Sequence, residues 1–133
     1  ALIKQTPFSV GYIDYADAKN NDIAMATVEN KEHNFIKPTL KSFQVAAAKA
    51  SLDPKTDFYA VIADPSGAES YPMVAATFIL VPIEKADINK NVTKFFDWSY
   101  KNGQEIAKSL GFVPLPDSLT NKIRTYWEAK GIK

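Results

Sequence analysis

"VTKFFDWSYKNG", residues 92–103, places four aromatic side chains within the six positions 95–100 and closes on a glycine. Such a run can serve as a stacking platform, a membrane anchor or a core helix. The spacing favours the helix. Val92, Phe95, Phe96, Ser99, Gly103, Ile106, Ala107 and Leu110 step by three or four, which puts them on one stripe. Phe95 and Phe96 are therefore expected in the core. Gly103 costs about 1 kcal/mol relative to alanine in a helix interior, so it is expected against a neighbouring backbone. Trp98 and Tyr100 flank the stripe. A nucleic-acid platform would interleave aromatics with arginine or lysine in a basic groove, and Lys94 and Lys101 do not make one.

Working outward, this helix opens at Ala86 or Asp87 and stops at Gly111, with Phe112 folding back. "VPLPDS" (113–118) is a linker that Pro114 and Pro116 keep extended. A last helix follows, with Leu119, Ile123, Tyr126 and Trp127 on its apolar face and Gly131 at its end. Upstream, 7–15, 23–30, 58–62 and 71–82 read as strands. "VAATFILV" (74–81), the longest apolar run, resembles a strand buried on both faces. A short helix is expected over 16–22, and Thr39 is expected to cap a helix carrying Leu40, Phe43, Ala47 and Ala50. "NKEHN" (30–34) and "ADPSGAES" (63–70) read as turns.

Bulk properties narrow the function. The 133 residues suit one domain's worth of chain, 46% of them hydrophobic and 23% charged. A net charge of +1 gives no footprint for nucleic acid or an anionic membrane. No run approaches the roughly 18 apolar residues of a membrane span. The absence of cysteine removes disulfides, thiol nucleophiles and zinc–thiolate sites. Beginning at Ala1 without a start or export signal, the sequence reads as a mature chain or a fragment of a longer one.

Catalytic patterns do not emerge. His33, the single histidine, lies in a polar turn and reads as a surface side chain. Asp14, Asp17 and Asp22 read as solvated charge. Ser66-Gly67 sits in a turn that no convincing helix follows, so it reads as a connector. The residues alone indicate an α/β unit without a cofactor, metal or catalytic site.

Three stretches add a resemblance. "VGYIDYADAKNND" (10–22) and "TFILVP" (77–82) continuing to "KFFDWSYKNGQEIAKSLGFVPLPDSLTNKIRTYW" (94–127) resemble the C-terminal part of the periplasmic phosphate-binding component of the phosphate ABC transporter. The likeness runs from about Val10 to Trp127 and is looser over 30–70. It implies an α/β, two-lobed type II periplasmic-binding-protein fold with both lobes incomplete. Residues 1–69 would belong to lobe II and 70–133 to the C-terminal part of lobe I, with the chain crossing a hinge near Ser70-Tyr71-Pro72. It also implies a non-enzymatic solute-binding protein, located in the periplasm or anchored at the cell surface. Its partners would be inorganic phosphate and a membrane permease, without nucleic acid.

In that family phosphate is held by helix N-terminal amides, hydroxyls, an arginine and an aspartate. The motifs that carry them, an "R-x-x-x-S-G-T" stretch among them, have no counterpart here. The sole arginine, Arg124, lies in the last helix. No ligand-binding residue is therefore assigned, and the chain alone is expected not to bind phosphate and to self-associate. The alternatives are a phosphatase-like enzyme on the same scaffold, a binder of sulfate or molybdate, and an interaction module that reuses the segment.

Overall fold

The computed structural model describes residues 2–132. In chain order the elements are α1 (Leu2–Gln5), α2 (Tyr15–Asn20), β1 (Val28–Glu29), β2 (Phe35–Ile36), α3 (Leu40–Lys49), a 3₁₀ turn (Pro54–Thr56), α4 (Ala86–Asn102), α5 (Gln104–Ser109) and α6 (Asp117–Ala129). β1 and β2 pair antiparallel, Val28 opposite Ile36 and Glu29 opposite Phe35. Helices with a small sheet agree with an α/β composition.

Local chemistry explains the helix ends. Thr39 accepts from the Ser42 amide at 3.1 Å, and Ser42 Oγ accepts from the Thr39 amide at 2.9 Å. This reciprocal box satisfies two groups at the start of α3. Three helices close with the same pair of bonds. Phe112 N donates to Ala107 O and Gly111 N to Lys108 O; Ile132 N donates to Trp127 O and Gly131 N to Glu128 O; Ile23 N donates to Ala18 O and Asp22 N to Lys19 O. Each has a left-handed residue at the turn: Gly111, Gly131 and Asp22. These are Schellman closures. Gly111 is needed twice over, since φ is +84° and an added Cβ would lie 2.5 Å from the Ala16 Cβ.

Side chains gather into two groups. In the first, Phe43 of α3 meets Tyr15 and Tyr71 edge-on at 5.0 and 5.3 Å. In the second, α4 packs on α6. Tyr100 stacks on the buried Trp127 at 6.1 Å, and Thr93 Oγ1 reaches Asn89 O at 2.9 Å and Ile132 O at 3.4 Å. Asp97 is shared by Lys101 at 2.7 Å and Arg124 at 2.6 Å. The hydrogen bonds from Lys101 and Arg124 hold the Asp97 carboxyl below the usual range. A depressed carboxyl adds stability above its unfolded value, about 3.9, and loses it as pH falls through the folded value. Asp97→Asn is therefore expected to be less stable than the native chain at neutral pH and to converge on it below about pH 4. Denaturant melts across that range check this, and a gap that persists unchanged into strong acid would exclude the pair as its source.

Several expected elements are absent or rearranged. Of 7–15, 23–30, 58–62 and 71–82, only Val28–Glu29 forms a strand, although Ala63 and Met73 make an isolated antiparallel bridge. A strand needs a hydrogen-bonded neighbour, and among the described residues these segments form no ladder beyond the β1–β2 pair and that bridge. Phe95, expected in the core, is 61% exposed, and Phe96 is half-buried. The reason is a rotation of the packed face: α6 covers the side of α4 bearing Asn89, Thr93, Asp97 and Tyr100, next to the expected stripe. Gly103 separates α4 from α5, and its Cβ position meets the Ser99 carbonyl at 2.7 Å. The local turn, not a neighbouring element, explains this glycine.

Candidate functional site

Two groups that could take part in anion binding, Arg124 and the Gly67 amide, are engaged within the chain. Arg124 Nε donates to Asp97 Oδ1, and its Nη1 donates to Asn121 Oδ1 at 2.8 Å. The Gly67 amide, in the Ser66-Gly67 turn, donates to Glu32 Oε1 at 2.9 Å. An internal carboxylate thus occupies the position an anion would take. His33 has left-handed φ, is well exposed, and places Nδ1 2.8 Å from Glu29 Oε1. Asp17 lies in the first turn of α2, while Asp14 and Asp22 flank that helix in the chain.

The helix N-termini offer no finished site. The α3 start is closed by its own capping box. Those of α4 and α6 have no side-chain cap, but each carries an aspartate in its first turn, Asp87 and Asp117. Those charges favour the helix dipole and oppose an approaching anion. Among the described residues no group of three His, Cys, Asp or Glu could hold a metal ion.

Two shallow depressions of about 420 and 560 Å³ share Pro54 and Lys122. The larger runs along α6 past Lys55, Asn121, Thr125 and Lys130. Beside it lies a cluster the sequence did not disclose. Tyr126 Oη donates to Asp57 Oδ1 at 2.6 Å, Lys130 Nζ reaches the same oxygen at 3.2 Å, and the Phe58 ring meets Tyr126 edge-on at 5.2 Å. Hydrogen bonds from Tyr126 and Lys130 lower the Asp57 pKa, while the bond to Asp57 raises that of Tyr126. Asp57 and Phe58 both have positive φ, 51° and 60°. For a bulky residue such as Phe58 this conformation is an outlier, and the grip of α6 holds it. The cluster ties residues 53–58 to α6 without presenting a cleft. No sequence signal could have paired residues so far apart in the chain.

No family model matches the chain. Over 132 residues, 98% of this chain, it is 37% identical to the phosphate-binding protein PstS of Pasteurella multocida. The same span is 33% identical to the phosphate-binding proteins PstS of Haemophilus influenzae and Xylella fastidiosa. The chain is homologous to the phosphate-binding proteins. It spans about two fifths of their length: 38% of the Pasteurella protein, 40% of the Haemophilus protein and 36% of the Xylella protein. Among the described residues no helix is long and apolar enough to cross a membrane.

Proposed function

We propose that this chain is part of the solute-binding component of an ABC importer, and that the complete protein captures inorganic phosphate and delivers it to a membrane permease from the periplasmic or outer side. The observation that carries this reading is the match to phosphate-binding proteins along 98% of the chain. The function is binding, not catalysis. A two-lobed layout, 1–69 in one lobe and 70–133 in the other, accounts for the two groups of side chains around Phe43 and Trp127. The two spans make contact where α6 grips Asp57 and Phe58 and where Gly111 meets Ala16. Tyr71, which packs on Phe43, then sits at the crossing, beside the Ala63–Met73 bridge.

Tight oxyanion binding needs several donors converging on rigid elements. Here Arg124 and the Gly67 amide are spent internally, so the donors must come from the additional length. Titration calorimetry with inorganic phosphate tests this. The isolated chain is expected to show no binding at micromolar concentrations, whereas a polypeptide of the relatives' length containing it should bind. Micromolar binding by the chain alone would place a site where none is assigned. A longer protein that takes sulfate or molybdate and refuses phosphate would overturn the ligand.

A further inference from the structure

Asparagine is followed by glycine once in the sequence, at Asn102-Gly103. The pair carries its own chemistry: the Gly103 amide nitrogen can attack the side-chain carbonyl carbon of Asn102, and glycine has no Cβ to obstruct the approach. Here the pair forms the joint between α4, which ends at Asn102, and α5, which begins at Gln104. Asn102 is exposed, so water has access to it. Asn121 is the natural comparison. It is also exposed and helical, but it lies inside α6 and is followed by the bulkier Lys122.

Hydrogen bonds hold both reacting groups in other directions. Asn102 Nδ2 donates to Trp98 O at 3.0 Å, and the Gly103 amide donates to Ser99 O at 2.8 Å. Across the joint, Ala107 N donates to Gly103 O at 2.8 Å, and Gln104 Nε2 reaches back to Tyr100 O at 3.3 Å. Attack therefore requires the Gly103 amide to leave Ser99 and the Asn102 side chain to turn from Trp98. Both bonds belong to the last turn of α4, and helix ends open locally at lower free energy than helix interiors. The joint is thus restrained without being sealed.

We propose that Asn102-Gly103 is a modification site, a spontaneous deamidation that the end of α4 restrains. The Gly103 nitrogen loses its proton and bonds to Asn102 Cγ. The Asn102 amide nitrogen leaves as ammonia, and a five-membered succinimide closes. Water then opens the ring. Breaking the new Cγ–N bond gives an aspartyl residue; breaking the original peptide bond gives an isoaspartyl residue, with the main chain running through Cβ. One water enters, one ammonia leaves, and no redox partner is needed. Either product places a carboxylate at the C-terminal end of α4, where the helix dipole opposes it. The isoaspartyl form also lengthens the backbone between Ser99 and Ala107, so the bonds on the two sides of Gly103 can no longer form in register. Ageing of the protein would therefore loosen α5 from α4.

The test uses a polypeptide of the homologues' length containing this chain, aged at mildly alkaline pH both folded and in urea. Peptide mapping by mass spectrometry follows the amide-to-acid conversion at each asparagine, and a protein isoaspartyl methyltransferase marks the isoaspartyl product. In urea Asn102 should convert well ahead of Asn121. In the folded protein Asn102 should still lead, but about ten- to a hundredfold more slowly than in urea, because two hydrogen bonds must open first. Asn102→Gln, whose ring would have to be six-membered, should form no acid at that position. Conversion at Asn102 no faster than at Asn121 would overturn the site. Equal rates in the folded and urea-treated protein would overturn the restraint by α4. Undiminished conversion in Asn102→Gln would overturn the succinimide route in favour of direct hydrolysis. No ligand enters the measurement, so a failure to bind phosphate leaves the result standing.

Discussion

Trp127→Ala should lower the stability of this chain by about 3–5 kcal/mol, the range for truncating a well-buried large aromatic. Trp127 is 7% exposed and joins α6 to α4. Its ring stacks on Tyr100 of α4 at 6.1 Å. Its carbonyl accepts from Ile132 N, closing α6 and bringing the buried Ile132 into place, where the Ile132 carbonyl meets Thr93 Oγ1 at 3.4 Å. Removing the indole takes away the surface on which α4 rests. Domains are stable by only about 5–15 kcal/mol, so the loss should release α6 from α4. Trp127→Phe keeps a ring against Tyr100 and should cost markedly less. Trp98, 56% exposed on the open face of α4, supplies the contrast: Trp98→Ala should change stability by no more than about 0.5 kcal/mol. Urea melts of the three variants decide this. Equal midpoints for Trp98→Ala and Trp127→Ala would refute the assignment of α4's packed face.

What the sequence disclosed follows the range of the forces involved. Helix ends depend on residues within a few positions, so the Thr39 cap and the stops at Gly111 and Gly131 were legible. Helical periodicity located α4 and α6. It could not say which side of α4 would be covered, because Phe95, Phe96 and Tyr100 are all aromatic, and Phe96 lies between the other two on the wheel. The segments 58–62 and 71–82 have strand composition, but a strand is completed by its neighbour, and composition does not supply one. In the candidate site, the arginine and the Ser66-Gly67 turn were visible as residue types. Their engagement with Asp97 and Glu32 depends on distant contacts and could not be read. Asn30 was hidden for the same reason, a polar residue in a polar turn whose partners lie 37 to 40 positions away.

Those partners make Asn30 the other position where one substitution should have a large effect. Its side chain is nearly inaccessible, at 2%. Nδ2 donates toward the carbonyls of Gly67, Ala68 and Ser70 at 3.2, 3.3 and 3.2 Å, and Oδ1 accepts from the Glu32 and Asn34 amides at 3.1 and 3.0 Å. An amide has two donor hydrogens and two acceptor lone pairs, so these contacts use its full capacity. They pin the β1–β2 turn to the loop that precedes Tyr71. Asn30→Ala should cost about 3 kcal/mol, since several buried groups lose their partners together. Asn30→Asp is the sharper test because it preserves size. The Oδ1 contacts can remain, but a carboxylate now faces three carbonyl oxygens and has no hydrogen to give. Burial and that repulsion should raise the folded-state pKa of the new carboxyl above its unfolded value of about 3.9. A carboxyl raised in this way makes the folded state less stable as pH rises through the interval between the two values. Asn30→Asp should therefore be most damaging at neutral pH and partly recover in mild acid, where the protonated group regains one donor. The Asp97→Asn gap should instead persist through mild acid and close only at lower pH, where the native Asp97 carboxyl itself protonates. Melts of Asn30→Asp from neutral pH to about pH 4 check the direction. A deficit that deepens on acidification would mean the turn is not held through the Asn30 amide.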